Sequence, residues 1–237
     1  FRVYDESVNN EALTGKIHNY FFAKGLDKLK EGGLLAFITT DGFLNSPSNK
    51  EAREHIFRNS DLISLNVMPD NLMKDTGNTE APSHLLIVQK NLNKRSLLED
   101  EKLLVNTVEQ VTEFGSYHIN QYIAIHPEVI SGNQINPGKD KYGKAHETIW
   151  QTGNINLIVP PLAESLNNGF AERFNHDAFK QIPKAIEIPK GKQLTYLSMP
   201  ENKPDSSSVQ LGLFDINPVT TINRAAAYIN SLDATVV

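Results

Sequence analysis

The spacing of hydrophobic residues changes several times along the first 90 positions, and each change predicts a new element. Between residues 15 and 30 apolar side chains recur at helical spacing, and Gly32-Gly33 then marks the end of that helix. The run LLAFITT at 34–40 is continuously apolar and too short for another helix. It therefore predicts a strand buried on both faces, as is typical of a parallel sheet.

A second helix and two further strands follow. Ser46-Pro47 predicts a helix start and places Arg53 on the outer side of that helix. Strands are predicted at 61–69 and 83–90, joined by the polar loop 70–81. Because no helix connects these two strands, we expect them to be antiparallel neighbours. The whole order is typical of one edge of an open α/β sheet.

The pattern beyond residue 91 is weaker. Residues 103–111 predict a strand or a short helix, and residues 133–144 a turn-rich loop. Residues 146–153 alternate like an exposed strand. Residues 157–174 predict a helix that starts at Pro160-Pro161, since prolines are tolerated in a first turn.

These patterns divide the chain into four parts. Residues 1–92 are predicted to be the C-terminal half of an α/β domain, and residues 93–188 an α+β extension. Residues 189–208, rich in Pro, Ser, Lys and Gly, predict a linker. Residues 209–237 hold a short apolar motif and a predicted amphipathic C-terminal helix.

Composition narrows the classes of protein to which the chain can belong. Of its 237 residues 39% are hydrophobic, which supports a core and rules out disorder throughout. Lys and Arg total 23 against 28 Asp and Glu, for a net charge of −5. This charge disfavours binding to nucleic acid through bulk positive charge, although a locally basic groove stays possible. The absence of cysteine excludes disulfides and thiolate metal sites, and it fits a reducing cytoplasm.

Several kinds of site have no support in the sequence. From the opening residues no signal peptide is expected. No apolar run approaches the roughly 20 residues that span a bilayer, so no membrane partner is expected either. Glycine-rich phosphate loops and nucleophile elbows are absent. The seven histidines show no metal-ligand spacing, so no metal site is predicted. The chain begins with Phe1 rather than Met, from which we expect a piece of a longer polypeptide.

The stretch 17–90 carries the most informative combination of features. An aromatic and Lys-containing helix ends at Gly-Gly, and a buried strand and a loop follow. Next come a helix with Arg53, a strand closed by Met68-Pro69 and a strand ending in Val88-Gln89-Lys90. In this order they resemble the adenine-N6 DNA methyltransferases of restriction–modification systems, above all the methylase part of helicase–methylase fusions on bacterial mobile elements. The resemblance covers about a third of the chain.

Two elements of that family are missing here. Its members bind S-adenosylmethionine through a Gly-containing loop after their first strand, and they hold the target amine with an (Asp/Asn/Ser)-Pro-Pro-(Phe/Tyr) element. Val159-Pro160-Pro161-Leu162 has the prolines without the polar and aromatic residues. The resemblance thus implies the C-terminal portion of a class I fold. The expected fold class is α/β, a partial open sheet of parallel strands with an antiparallel edge pair, plus an α+β extension and a C-terminal helix.

The resemblance also implies a reaction for the parent protein. The exocyclic amine of adenine is a poor nucleophile, so the enzyme must flip the base out and position it against the methyl donor. Because donor pocket and amine clamp are missing, we expect this chain alone to be inactive, with no cofactor and no catalytic residue. Its expected contribution is the rim of the base pocket, for which the candidates are Thr39, Thr40, Asp41 and Phe43. The alternative is a strand end, a turn Asp and a core Phe.

DNA is the expected partner. The candidates for contact with DNA are Arg53, Lys74, Lys139, Lys141, Tyr142 and Lys144. The last four form a cluster of basic and aromatic residues, a composition that suits phosphate and base contacts. The alternative is that these lysines lie in solvated loops and serve solubility.

A short peptide after the predicted linker suggests a second partner. Gln210, Leu211, Leu213 and Phe214 resemble the motif by which bacterial replication and repair proteins dock on the sliding clamp. In such a peptide the Leu and Phe anchors fill an apolar pocket while Gln meets its polar rim. The alternative is an apolar segment that docks on its own domain.

A half-sheet exposes one long edge, which predicts either a homodimer through that edge or strands that pair in a different order. In the parent protein the N-terminal remainder is the expected partner.

Three functions stay open. They are part of a bacterial, cytoplasmic DNA adenine-N6 methyltransferase, a non-catalytic module that binds DNA or protein, and an unrelated α/β binding domain. Cytosine N4 also stays open as the target.

Overall fold

The computed structural model of the chain describes residues 3–5, 8, 10–140 and 142–180. The helices are α1 (Glu11–Thr14), α2 (Ile17–Lys28), α3 (Gly42–Asn45), α4 (Lys50–Arg58), α5 (Lys74–Gly77), α6 (Glu99–Val105), α7 (Gln121–Ile125), α8 (Val159–Arg173) and α9 (His176–Lys180). The strands are β1 (Leu34–Thr40), β2 (Ser60–Met68), β3 (Ser83–Lys90), β4 (Thr107–Thr112), β5 (Gly115–Asn120), β6 (Gln134–Lys139) and β7 (Ala145–Trp150). Short 3₁₀ helices span Pro47–Asn49, Pro127–Val129 and Ile155–Ile158. The protein is a mixed α/β structure, as the sequence predicts.

A three-stranded sheet forms the centre, with the strand order β1-β3-β2. β3 is antiparallel to both neighbours, so β1 and β2 run in the same direction without touching. The register places Leu86 of β3 opposite Phe37 of β1 and Leu65 of β2. The predicted antiparallel pair 61–69 and 83–90 is confirmed. The prediction of adjacent parallel strands is not, because the described strand pairs are all antiparallel apart from one isolated parallel bridge between Val67 and Ile130.

Helices cover the sheet unequally. On the face of Leu86, α2 and α4 bury a core that includes Phe22, Ile56 and Phe57. On the opposite face α8 lies against β2, where Gly169 approaches the backbone of Ile63 so closely that an added Cβ would stand 2.4 Å from the Ile63 carbonyl oxygen. This contact requires glycine at residue 169.

The two strands that run in the same direction differ in burial. β2 is buried along nearly its whole length, with only Asp61 partly exposed. β1 leaves Ala36, Ile38 and Thr40 exposed, so the prediction that 34–40 is buried on both faces is wrong. The reason is position: β1 lies at an edge of the described sheet, and no described element covers its second face.

A buried ionic cluster ties α6 to the start of β2. The Glu101 side chain is fully buried, and its Oε1 lies 2.5 Å from Nζ of Lys94. The same Nζ lies 2.9 Å from Oδ1 of Asp61. The other Glu101 oxygen, Oε2, accepts the N–H of Leu98 at 2.8 Å and so caps α6.

The extension after residue 92 contains two hairpins, β4–β5 and β6–β7. The run 103–111, predicted as strand or helix, contains both: α6 ends at Val105 and β4 begins at Thr107. The predicted loop 133–144 is instead largely β6 and its turn. Nearly all of β6 faces solvent, so its residues do not show the hydrophobic pattern from which a strand is predicted.

Other local predictions are confirmed. A helix occupies most of 15–30, a strand fills 34–40, and α8 begins with prolines in its first turn. No helix in the described part of the chain is long and apolar enough to cross a bilayer. The predicted linker 189–208 and the motif and helix at 209–237 lie outside the described residues.

Candidate functional site

The ends of β1 and β2 meet at one edge of the sheet. Since the two strands run in the same direction, Asp41 after β1 and Asp70 just after β2 lie at this edge, where β3 begins with Ser83 and His84. The Asp41 N–H donates to the Pro82 carbonyl at 3.1 Å, which holds the turn after β1 against the start of β3. The carboxyl ends of such strands are the usual place for ligands in α/β proteins.

A small cavity of about 70 Å³, lined by both apolar and polar side chains, opens at this edge. It has room for a few water molecules. The sheet contributes one wall and the hairpins β4–β5 and β6–β7 the other. Its polar lining includes Asp41, Asn45, Asp70, His84, Tyr117, His118, His146 and Glu147.

Asp41 is one of the groups lining this cavity whose acidity is changed by burial. Burial raises the pKa of its carboxyl group, and the negative charge of Asp70 raises it further. The charge of His146 and hydrogen bonds from the Gly42 backbone and the Asn45 side chain oppose this rise. Asp41 is therefore easier to protonate than an ordinary aspartate, which suits a group that exchanges hydrogen bonds with a ligand.

His146 of β7 faces Asp70 across the cavity. Its Nε2 lies 3.9 Å from Oδ2 of Asp70, the distance of an ion pair rather than of a direct hydrogen bond. The Asp70 carboxylate raises the pKa of His146 against the effect of burial, and Asp41 adds to the rise. The Asp70 N–H also donates to the Ile149 carbonyl at 2.7 Å, so backbone and charge together hold β7 against the sheet.

His84 lies near the start of β3, the central strand of the sheet, opposite Thr39 of β1 and Val67 of β2. Its side chain is buried, and its Nδ1 has no hydrogen-bond partner among the described residues. Burial lowers the pKa of His84 to about 4, so the ring is neutral at pH 7. An unpaired buried nitrogen that lines a cavity is costly, which marks this position for a ligand or water contact.

The outer wall is held by a hydrogen bond between the two hairpins. The Tyr117 hydroxyl on β5 donates to Oε2 of Glu147 on β7 at 2.8 Å. Burial and this carboxylate raise the pKa of Tyr117 to about 12. The tyrosine therefore stays protonated and keeps the hairpins joined across the whole physiological pH range.

The four predicted residues of the base-pocket rim separate in the structure. Asp41 lines the cavity, while Thr39 and Thr40 line an apolar groove on the outer side of β1. Phe43 is fully buried, and its ring stacks on Phe22 with centroids 4.2 Å apart. Because Phe43 belongs to the core, its predicted stacking on a base does not agree with this placement.

Arg53 was predicted on the outer side of its helix, and it is fully buried instead. Nε and Nη2 donate to the Val105 carbonyl, and Nη1 donates to the carbonyls of Phe43 and Ser46 at 3.0 and 2.7 Å. Burial lowers the pKa of Arg53 to about 10. The guanidinium joins α3, α4 and α6, and it has no route to a DNA backbone.

Lys74, a second predicted DNA contact, is engaged within the protein. Its Nζ lies 2.7 Å from Oε1 of Glu80 and 4.8 Å from the centre of the Trp150 ring. Both contacts are partly exposed, so a phosphate would have to compete with Glu80 for this ammonium group.

The turn between β6 and β7 presents the remaining predicted DNA contacts. Oδ1 of Asp140 accepts the N–H groups of Tyr142 and Lys144 at 2.8 and 2.9 Å, which fixes the turn. Tyr142 is 76% exposed, and Lys139 and Lys144 flank it. Lys141 lies outside the described residues, as do the predicted clamp-docking residues 210–214.

Sequence reasoning missed Asp70, His84 and His146. Asp70 follows the strand-closing Met68-Pro69, which is the same signal that identified Asp41. No strand end marks the two histidines in the sequence. His84 lies within β3, and His146 lies within the distant hairpin β6–β7. Within the described ranges, no group of three or more His, Asp or Glu side chains is arranged to hold a metal ion.

Comparison with protein-family models gives no match, and no curated protein proves similar to the chain. The arrangement of the strands and the site at their carboxyl ends are therefore the features that indicate a function.

Proposed function

We propose that this chain is the C-terminal portion of a class I DNA adenine-N6 methyltransferase domain. The order of the central strands carries the proposal. A class I methyltransferase sheet ends in two strands that run in the same direction with the last strand reversed between them. β1, β2 and β3 have this arrangement, and β3 is also the last of the three in sequence.

The position of the cavity lined by Asp41 and Asp70 is a second support. It opens at the carboxyl ends of β1 and β2, the edge at which such a domain binds its ligands. A cavity of about 70 Å³ is too small for S-adenosylmethionine, so this cavity is not the proposed donor site. The proposal assigns that site to the N-terminal remainder of the parent polypeptide and expects no methyl transfer by this chain alone.

In this proposal the residues of the cavity position the target base. Asp41 and Asp70 offer carboxylate oxygens to N–H groups of the base edge, and His84 offers a neutral ring nitrogen. The turn with Lys139, Tyr142 and Lys144 contacts the phosphate backbone beside the flipped nucleotide. The two roles lie on separate elements, so substitutions can separate them.

The parent reading frame upstream of Phe1 gives the first test. We expect a strand followed by a Gly-containing loop, and further along an (Asp/Asn/Ser)-(Pro/Ile)-Pro-(Phe/Tyr) element. A frame that opens close to Phe1 without either element contradicts the proposal.

Methyl transfer by the parent polypeptide gives the second test. Tritium from labelled S-adenosylmethionine should enter DNA at N6 of adenine. Asp41→Asn should lower the rate at least about tenfold, the loss expected for one hydrogen bond to a charged group. Asp177→Asn, at an exposed position of α9, is the matched control and should change the rate less than about twofold. Equal rates for the two variants would show that Asp41 does not contact the target base. Label at N4 of cytosine would identify cytosine rather than adenine as the target.

The exposed β6–β7 turn favours a second candidate, a non-catalytic DNA-binding module. The chain alone would then bind duplex DNA, with an affinity that falls as salt rises. Lys139→Ala with Lys144→Ala should weaken this binding and flatten its salt dependence, while Lys28→Ala with Lys50→Ala should not. No binding by the chain at low salt would exclude this candidate.

Docking on a sliding clamp stays a proposal of the same kind. It predicts that Leu213→Ala with Phe214→Ala abolishes binding of the chain to a bacterial clamp in surface plasmon resonance. Unchanged binding, or no binding by the unaltered chain, contradicts it.

A further inference from the structure

The cavity at the carboxyl ends of β1 and β2 is too small for an organic ligand. Its volume is about 70 Å³, whereas sites for small organic molecules usually enclose about 300–1,000 Å³. Several polar groups nevertheless converge on it, among them Asp41, Asp70 and His146. For these groups to contact such a ligand, one wall of the cavity has to move.

The hairpin β4–β5 is the fixed part of the outer wall. At its base the Asn120 side-chain amide donates to the carbonyls of Leu44 and Leu104 at 3.3 and 2.8 Å. The Asn120 backbone N–H donates to Oδ1 of Asn45 at 3.0 Å. These bonds tie β5 to α3 and α6, so this hairpin is held against the core.

The hairpin β6–β7 is tied to the sheet at its base. The Asp70 N–H donates to the Ile149 carbonyl at 2.7 Å, and the side-chain amide of Asn71 exchanges two hydrogen bonds with the Gln151 backbone, at 2.9 and 3.0 Å. Ile149, also at the base, belongs to the hydrophobic core. Farther from the base, β6 is exposed at nearly every residue. The hairpin can therefore tilt about its base without opening the core.

Two contacts hold the distal part of this hairpin, residues 136–139 and 145–148, over the cavity. The Tyr117 hydroxyl donates to Oε2 of Glu147 at 2.8 Å, and Nε2 of His146 lies 3.9 Å from Oδ2 of Asp70. The tyrosine contact does not change near neutral pH, because the pKa of Tyr117 is raised to about 12. The ion pair exists only while the His146 ring carries a proton.

We propose that the distal part of β6–β7 is a lid over the cavity, which is held closed while protonated His146 is paired with Asp70 and opens transiently as His146 loses its proton. Opening breaks the bond between Tyr117 and Glu147, joins the cavity to solvent and gives a ligand larger than water access to Asp41 and Asp70. The lid does not depend on the proposed function, since it is a property of the chain without DNA.

The groups that face His146 set the direction of the pH dependence. The Asp70 carboxylate raises the pKa of His146, burial opposes this rise, and the charges of Asp41 and Asp140 add to it. In an open lid the ring faces water and loses these partners. The closed state therefore binds the proton more tightly, so it is favoured at low pH and loses this advantage as the pH rises through the raised pKa of His146. The other titratable groups in the cavity lining are His84, Tyr117, His118 and Glu147.

Labelling of a single introduced cysteine tests the lid, since the chain has no cysteine of its own. Met68 is buried and lines the cavity, so Met68→Cys should react with a thiol reagent when the lid opens. Ala52→Cys, in the core on α4, reacts only when the chain unfolds and is the matched control. Because both rates are proportional to the thiolate fraction, their ratio removes the pH dependence of the reagent.

The ratio of the two labelling rates should rise at least about threefold from about pH 6 to about pH 8.5, the change that one ion pair supplies. With His146→Gln added, which cannot be protonated, the ratio should be high at both pH values. With Tyr117→Phe added, the ratio should be higher than in the unaltered background and keep its pH dependence. A ratio independent of pH in the unaltered background overturns the proposal, and so does a pH dependence that survives His146→Gln.

Proton NMR titration of the histidine rings gives an independent measurement that needs no cysteine. The pKa of His146 should lie above its ordinary value in the unaltered chain and should fall in Asp70→Asn, because the paired carboxylate is gone. The same His146 pKa in both proteins overturns the proposal. Both measurements use the 237-residue chain without DNA, so a failure of the methyltransferase proposal does not alter their outcome.

Discussion

β1 and β2 run in the same direction in one sheet, yet their burial is the reverse of what their sequences suggest. β1 is almost entirely apolar and leaves Ile38 56% exposed. β2 contains Ser64 and Asn66, which are buried and hydrogen-bonded to each other at 2.9 Å. The difference teaches that a strand is buried by what covers it: α8 covers β2, and no described element covers the outer side of β1.

The largest effect is expected where β2 joins α6. Glu101→Ala removes the fully buried one of the two carboxylates that pair with Lys94, and with it the cap of α6. It should lower the free energy of unfolding by about 4 kcal/mol, since the buried Lys94 ammonium keeps only the partly exposed Asp61 as its partner. Glu99→Ala, which breaks the exposed pair with Lys102, should cost about 0.5 kcal/mol or less. Urea unfolding checks both values. Similar losses would show that burial of the pair is not what matters.

Truncation of one apolar side chain in each strand tests the comparison directly. Leu65→Ala in β2 should cost about 3 kcal/mol, because it leaves a cavity in the core. Ile38→Ala in β1 should change the stability of the chain by less than about 0.5 kcal/mol. The two variants are compared by urea midpoint at constant slope. Equal costs would mean that β1 is already covered in the chain alone.

His84, between the two strands, should make the sheet sensitive to acid. Its pKa falls from 6.5 to about 4 on burial. The unfolded chain therefore binds a proton more readily, and the folded state should lose about 3 kcal/mol as the pH falls from 6.5 to 4. His84→Gln should flatten this part of the profile of unfolding free energy against pH. Exposed His176→Gln is the control, and identical profiles for all three proteins would contradict the assignment.

The smallest effect is expected at the cover of β2. Gly169→Ala brings a methyl group against the Ile63 carbonyl and should cost about 2 kcal/mol by pushing α8 away. Gly138→Ala in β6, where a Cβ meets no atom within 4 Å, should cost nothing. If amide exchange across β2 becomes faster in Gly169→Ala and not in Gly138→Ala, the packing of α8 is the reason why β2 is more buried than β1.

The sequence located the candidate site in part. Asp41 was identified because a polar residue after a buried strand lies where ligands bind in α/β proteins. Arg53 and Phe43 were misplaced, because a charged residue in a helix was taken as exposed and an aromatic near a strand end as available. The carbonyl groups of Phe43, Ser46 and Val105 satisfy the guanidinium of Arg53, and no local pattern reveals a partner as distant in sequence as Val105.

By itself the sequence determined the elements whose signals are local: α2 with its end before Gly32-Gly33, the strands β1 to β3, and the proline start of α8. The tertiary structure decided the insertion of β3 between β1 and β2. It also decided the exposure of β1 and the meeting of Asp41 and Asp70 with His84 and His146. Hydrophobic periodicity records which side of an element faces a core. It does not indicate which distant element packs against that side, since contacts between remote positions form only when the whole chain folds.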